Sequence, residues 1–137
     1  MSKILKIDND FKKLYRKANK LSNKVELSEV FKYKQIGCAL ITDKNNIYTG
    51  ISVKAPSGLG NCAEYSAVVE MLKNDECVIK KIIAVRNGVI VSPCGRCREL
   101  LKQITSKNFK TQVLINEDTV VTIEELLPFS WNYQDGK

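Results

Sequence analysis

The chain contains no histidine at all. That removes the side chain most often used both as metal ligand and as general base, so a metal site or a proton transfer must rest on cysteine, aspartate or glutamate. No apolar stretch runs long enough without a charge to cross a bilayer. The opening MSKILKIDNDF places an Asp where an export signal needs an unbroken apolar core, so we expect a cytoplasmic protein with no membrane partner. Repeats, low-complexity tracts and linkers are lacking as well. A length of 137 residues, 44% of them apolar, suffices for one core and not for two, and the expectation is a single domain over residues 1–137.

Cysteine, by contrast, is present five times, as Cys38, Cys62, Cys77, Cys94 and Cys97. An odd count in a chain without an export signal points to metal ligands or buried thiols before disulfides. The 22 Lys and Arg against 15 Asp and Glu give a net charge of +7, which fits a nucleic-acid partner or an ordinary solvated surface. Much of the excess falls between Asp10 and Asn23. There Phe11, Leu14, Tyr15, Ala18 and Leu21 recur at three- and four-residue steps with lysines opposite, the pattern of an amphipathic packing helix.

Beyond it, Ile36 to Thr42 and Asn46 to Val53 read as strands joined across a short polar loop. Ala55 to Gly60, with a Pro and two Gly, is a loop. A second helix is expected from Asn61 to about Asn74, then a buried strand over VIKKIIAV bounded by Asn87-Gly88. Ser92-Pro93 opens a third helix, Thr111 to Asn116 forms a fourth strand, and Val120 and Val121 a short fifth. Thr122 and Glu125 have capping-box spacing ahead of a last short helix that Pro128 stops. This order predicts an α/β fold, a three-layer α/β/α sandwich around a mixed five-stranded sheet.

Two of the expected helices begin just after strands, where free backbone N–H groups favour negative charge. Those are the helices that carry Cys62-Ala63-Glu64 and Pro93-Cys94-Gly95-Arg96-Cys97. Cys94 and Cys97 are one helical turn apart, and Cys62 would complete three thiolates, leaving a tetrahedral zinc one open position for water. Cys38, inside a strand, and Cys77, at the far end of the second helix, are expected as small buried thiols. Asn61 and Glu64 also have capping-box spacing, so taken alone Glu64 reads as a helix cap as readily as a proton carrier.

At NCAE and SPCGRCREL the sequence resembles the cytidine deaminase family, in its small branch with all-cysteine ligands, and there the subgroup that includes blasticidin-S deaminase. IGCALITDKNNIYTGISV is similar to that family's opening hairpin and IEELLP to its closing helix. The resemblance implies a cytidine-deaminase-like fold, one Zn2+ per chain on Cys62, Cys94 and Cys97, Glu64 as acid and base, a small cytosine nucleoside or analogue as substrate, and a homotetramer. Many members place an Arg directly after C-A-E; here Tyr65 stands there, so Arg96 or Arg98 is the candidate for the missing positive charge. Where members hold the sugar with an Asn and a Glu, this chain has Ser52 and Lys54. With Ala63, and with Trp131 (or Phe129) as the aromatic lent to a neighbouring subunit, these are the expected substrate contacts. Three classes therefore stand: a nucleoside or nucleoside-antibiotic deaminase, a polynucleotide-editing deaminase, and a non-catalytic zinc-stabilised binding module. Editing enzymes usually present His where Cys62 stands, which makes nucleic acid unlikely as the substrate, and Glu64 speaks against a module without chemistry.

Overall fold

In a computed structural model, residues 8–131 are described. Residues 1–7, on which most of the N-terminal reading rests, lie outside them. Helix α1 (Asn9–Leu21) starts where Asp8 accepts a hydrogen bond from the Phe11 N–H at 2.7 Å, which satisfies one of the donors a helix start leaves free. It buries the face expected, with Phe11, Leu14, Tyr15 and Ala18 out of water. The Lys81 ammonium sits between Asp8 (3.2 Å) and Asp10 (2.9 Å) and ties the helix start to the sheet.

The sheet has seven strands rather than the expected five: β1 (Val25–Glu26), β2 (Lys32–Thr42), β3 (Ile47–Lys54), β4 (Ile79–Arg86), β5 (Val89–Val91), β6 (Gln112–Leu114) and β7 (Val120–Thr122). The five expected strands are all there. The two additional ones are short, and β5 is the return arm of a hairpin whose Asn87-Gly88 turn has φ of 48° and 83°. The sequence reading took that Asn-Gly only as the end of a strand. Among the described strands β4 and β6 are the one parallel pair, so the sheet is mixed as expected.

Both faces of the sheet are covered, and β2 shows why. Its side chains alternate, Ala39 and Ile41 entering the cluster under α1, Cys38 and Leu40 the cluster shared with α2 (Ala63–Lys73) and α3 (Gly95–Ile104). Helix α4 (Ile123–Leu126) follows β7 through a capping box in which Thr122 and Glu125 bond each other's backbone N–H groups, as expected.

Two positions in the sheet have exacting local geometry. A Cβ at Gly50 of β3 would lie 2.3 Å from the Ala67 nitrogen and 2.4 Å from the Ala63 carbonyl, so only glycine lets α2 lie this close to the sheet. In β2 the pairing with β3 breaks between Tyr33 and Gly37, and Lys34 takes the left-handed conformation at φ 62°. This is a β-bulge, with backbone strain that a non-glycine residue rarely carries.

Candidate active site

Helices α2 and α3 start two residues later than the sequence suggested. Cys62 and Cys94, in extended conformation, are the residues at which each helix begins, and neither start has a side-chain cap. The capping-box reading of Glu64 fails, because the Asn61 amide oxygen accepts instead from the Cys62 N–H at 3.0 Å and the Glu64 side chain is turned into the protein. Nor does Ser92 cap α3, since its hydroxyl accepts from Arg98. Two helix starts with donors left over thus meet at one place, and each presents a thiol.

The Cys62 and Cys94 sulfurs are 3.7 Å apart, as are those of Cys94 and Cys97. All three lie within 4.8 Å of one another. A tetrahedral zinc with sulfur ligands at about 2.3 Å requires sulfur–sulfur edges of about 3.8 Å, which the two edges through Cys94 match. Burial would push the Cys94 thiol up, but the backbone N–H groups of Cys97 and Arg96 and the neighbouring thiols outweigh it and hold its pKa below the ordinary value. Cys97 is pushed well up by burial and by the nearby Glu64 carboxylate. Cys38 is buried as expected, whereas Cys77 is exposed, because α2 ends at Lys73 and leaves it in the following loop.

Glu64 is only 5% exposed, and burial raises its pKa against the smaller pull of its own backbone N–H. It borders a cavity of about 370 Å³, a size suited to a small ligand, together with Cys62, Cys94, Ser52, Lys54 and Arg96. Of the expected site residues these six line one cavity, and Cys97 lies buried in the same cluster of thiols. Three others do not border it. The Ala63 side chain is in the core against the sheet. Arg98 donates to the carbonyls of Pro93 (2.8 Å) and Leu126 (2.9 Å), so it braces the loop before Cys94 against α4 and leaves Arg96, stacked over Tyr65 at 5.4 Å, as the cation beside the metal ligands. Trp131 lies over Lys102 of α3 within its own chain. The sequence reading missed Gln35, Ile36 and Asn61, which also line the cavity. The bulge that brings the first two there leaves no mark in the hydrophobic pattern.

Residues 8–113 match the family model described as the cytidine and deoxycytidylate deaminase zinc-binding region. The chain belongs to that deaminase family. The match includes all three cysteines and Glu64, and it makes zinc the metal that the thiol cluster serves. Among curated relatives, the blasticidin-S deaminase of Bacillus cereus is 29% identical over 106 residues, covering 70% of this chain and 76% of the relative. A cytidine deaminase of Halalkalibacterium halodurans is 28% identical over 105 residues, covering 74% and 80%. The crystal structure of cytidine deaminase from Mycobacterium tuberculosis superposes with a TM-score of 0.76 at 24% identity over 92% of this deaminase and all of that chain. The enzyme from Mycobacterium leprae gives 0.73 at 25% identity over 88% and 99%. These likenesses carry the fold, and the family match makes the chain a zinc-dependent deaminase-type hydrolase.

Proposed function

We propose that this deaminase removes the C4 amine from the cytosine ring of a free nucleoside or nucleoside antibiotic, giving a uracil product and ammonia. The observation that carries the reading is the buried carboxyl of Glu64 on the first turn of the helix that begins at Cys62, bordering the same cavity as the thiols. Zinc held by Cys62, Cys94 and Cys97 supplies Lewis-acid activation of the attacking water. Glu64 accepts one proton of that water and passes it to N3 of the ring, then takes the remaining proton from the hydroxyl added at C4 and delivers it to the amine, which leaves as ammonia; a carboxyl raised by burial is suited to both transfers. Arg96 offsets the negative charge of three thiolates.

The sugar end of the substrate is where this deaminase departs from a plain ribose grip. Lys54 offers donors and a positive charge, which favours a substrate whose sugar carries a carboxylate, as blasticidin S does. The active form is a homotetramer in which Trp131 reaches a neighbouring subunit's site, a reading supported by its absence from the cavity of its own chain and by its 56% exposure. Five free cysteines fit a reducing, cytoplasmic setting, and among the described residues no helix is long and apolar enough to cross a membrane.

An ultraviolet assay for loss of cytosine absorbance across cytidine, deoxycytidine, cytosine and blasticidin S, on protein of measured zinc content, tests the function. Turnover of at least one nucleoside with one zinc per chain is expected, and Cys94→Ala should lose both metal and turnover. Zinc-loaded protein inert on all four substrates would overturn the proposal.

A further inference from the structure

Gln35 occupies an unusual position in β2. It follows Lys34, the residue held at φ 62°, and its backbone is pinned on both sides of the bulge. The Ser22 hydroxyl donates to the Gln35 carbonyl at 3.0 Å, and the next N–H, that of Ile36, is accepted by the Ser52 hydroxyl at 2.9 Å. Ser22 is itself fixed, since its oxygen accepts from the Asn87 N–H at 2.7 Å. α1, the β4–β5 turn and β3 therefore all contribute to holding one residue out of the regular ladder. Such over-determined strain collects where a side chain has to be aimed.

The side chain so presented has no assigned task. Among the described residues the Gln35 amide makes no hydrogen bond, and Gln35 stands between two cavities, the one that contains Glu64, Cys62 and Lys54 and a second lined by Ser22, Asn23, Lys24, Arg86 and Asn87. A side-chain amide carries an acceptor and two donors, so it can bond a hydroxyl in either sense or span two adjacent hydroxyls. Lys54 can only donate and Glu64 is committed to the ring. The cavity holds no second carboxylate to accept from a sugar.

We propose that the Gln35 side-chain amide contacts the sugar hydroxyls of the substrate and sets the preference among sugars, with Ser52 acting as a positioning residue through the bulge. The inference rests on the cytosine-nucleoside reading above. It recasts Ser52, whose hydroxyl oxygen is taken up by Ile36, from a direct sugar contact into the support of one.

The test is the kinetics of the zinc-loaded full chain on cytidine and its 2′-deoxy, 3′-deoxy and 2′,3′-dideoxy forms. Gln35→Ala should raise KM for cytidine about tenfold, the loss of a hydrogen bond or two, with kcat and zinc content unchanged. The preference for cytidine over the dideoxy compound should shrink by the same factor. Ser52→Ala should move the preference in the same direction by less, whereas Lys34→Gly, which relieves the strained φ without removing the bulge, should leave it intact. Equal preferences in the parent and in Gln35→Ala, whatever their size, would overturn the proposal. A zinc-loaded parent that turns over no cytosine nucleoside would overturn the underlying reading as well, and that failure would show before any substitution is made.

Discussion

Two carboxylates flank α2 and are almost equally withdrawn from water, Glu64 at 5% exposure before its first turn is complete and Glu76 at 6% just past its end. Their surroundings drive them in opposite directions. Around Glu76 the hydroxyl of Thr42, the Tyr48 phenol at 2.5 Å and the Asn46 amide at 2.8 Å hold the carboxyl below its usual range, and Tyr48 in turn is pushed up to about 12. Among the described residues no side chain donates to Glu64, and burial pushes the carboxyl up. Oε2 of Glu76 accepts from both Tyr48 and Asn46 and so fastens the β2–β3 hairpin to the end of α2, while its Oε1 is buried without a hydrogen-bond partner among the described residues. Glu64, at the other end, borders the cavity beside the thiols. The helix starts divide in the same way. Side chains cap α1 and α4, while α2 and α3, which carry the thiols, have none.

The sharpest way to test that contrast is to remove each kind of group. Glu64→Gln keeps the shape and loses the proton shuttle, so turnover should fall by about 10² to 10⁴-fold with zinc content and melting temperature retained. Near-normal turnover measured in the ultraviolet assay would assign Glu64 to structure. Asn108 is the counterpart among the satisfied groups. Fully buried in a 3₁₀ turn (Ser106–Lys110), it accepts from the Ile79 N–H at 2.8 Å and donates to the carbonyls of Cys77 and Leu101. Asn108→Ala should cost about 3 kcal/mol by leaving those groups unpaired, visible as a drop of roughly 10 °C in thermal melts, with kcat unchanged well below the transition. A loss of kcat at full folding would blur the division between the two regions.

The smallest effect is expected at the α1 clasp. Lys81 beside Asp10 lowers that carboxyl's pKa, so the pair contributes stability above the ordinary aspartate range and loses it as pH falls through the lowered value. Burial works against the charge on Lys81, but its hydrogen bonds to Asp10 and Asp8 prevail and raise its pKa. That part of the contribution is lost only as pH climbs through the raised value. Asp10→Asn should therefore be slightly less stable at neutral pH, and the gap to the parent should close in strong acid. Denaturant midpoints followed from pH 7 to 2 give the sign, and a gap that widens toward acid would contradict it.

The elements that buried a periodic apolar face were legible from residue order alone, as α1 and the alternating β2 show. One helical turn accounts for the pairing of Cys94 with Cys97, whereas Cys62 and Glu64 joined them through the family resemblance, since no local rule brings the starts of two helices together. The caps misled because Asn61 and Ser92 carry good capping groups that other partners claim, Cys62 and Arg98. Arg98 looked like a candidate charge, yet the carbonyl it meets at Leu126 lies 28 residues away and depends on how α4 docks. The bulge at Lys34 was invisible for a similar reason. It is held by Ser22 and Ser52 from other elements, and no local pattern encodes such a meeting.

One small feature bears on how an enzyme of this kind diversifies. Val53 and Asn61 exchange two backbone hydrogen bonds, at 2.9 and 2.8 Å, and so close the loop between them at its base. Leu59 within it is 70% exposed, and Ser57 and Gly58 take positive φ at its tip. A segment tied off in this manner can lengthen, shorten or change sequence while the bridge keeps Cys62 in register with the sheet. Lys54, the last residue of β3 and paired with Lys32, stands at the root of that segment and the thiols lie beyond its closing bridge, so residues 55–60 can change without disturbing the metal chemistry.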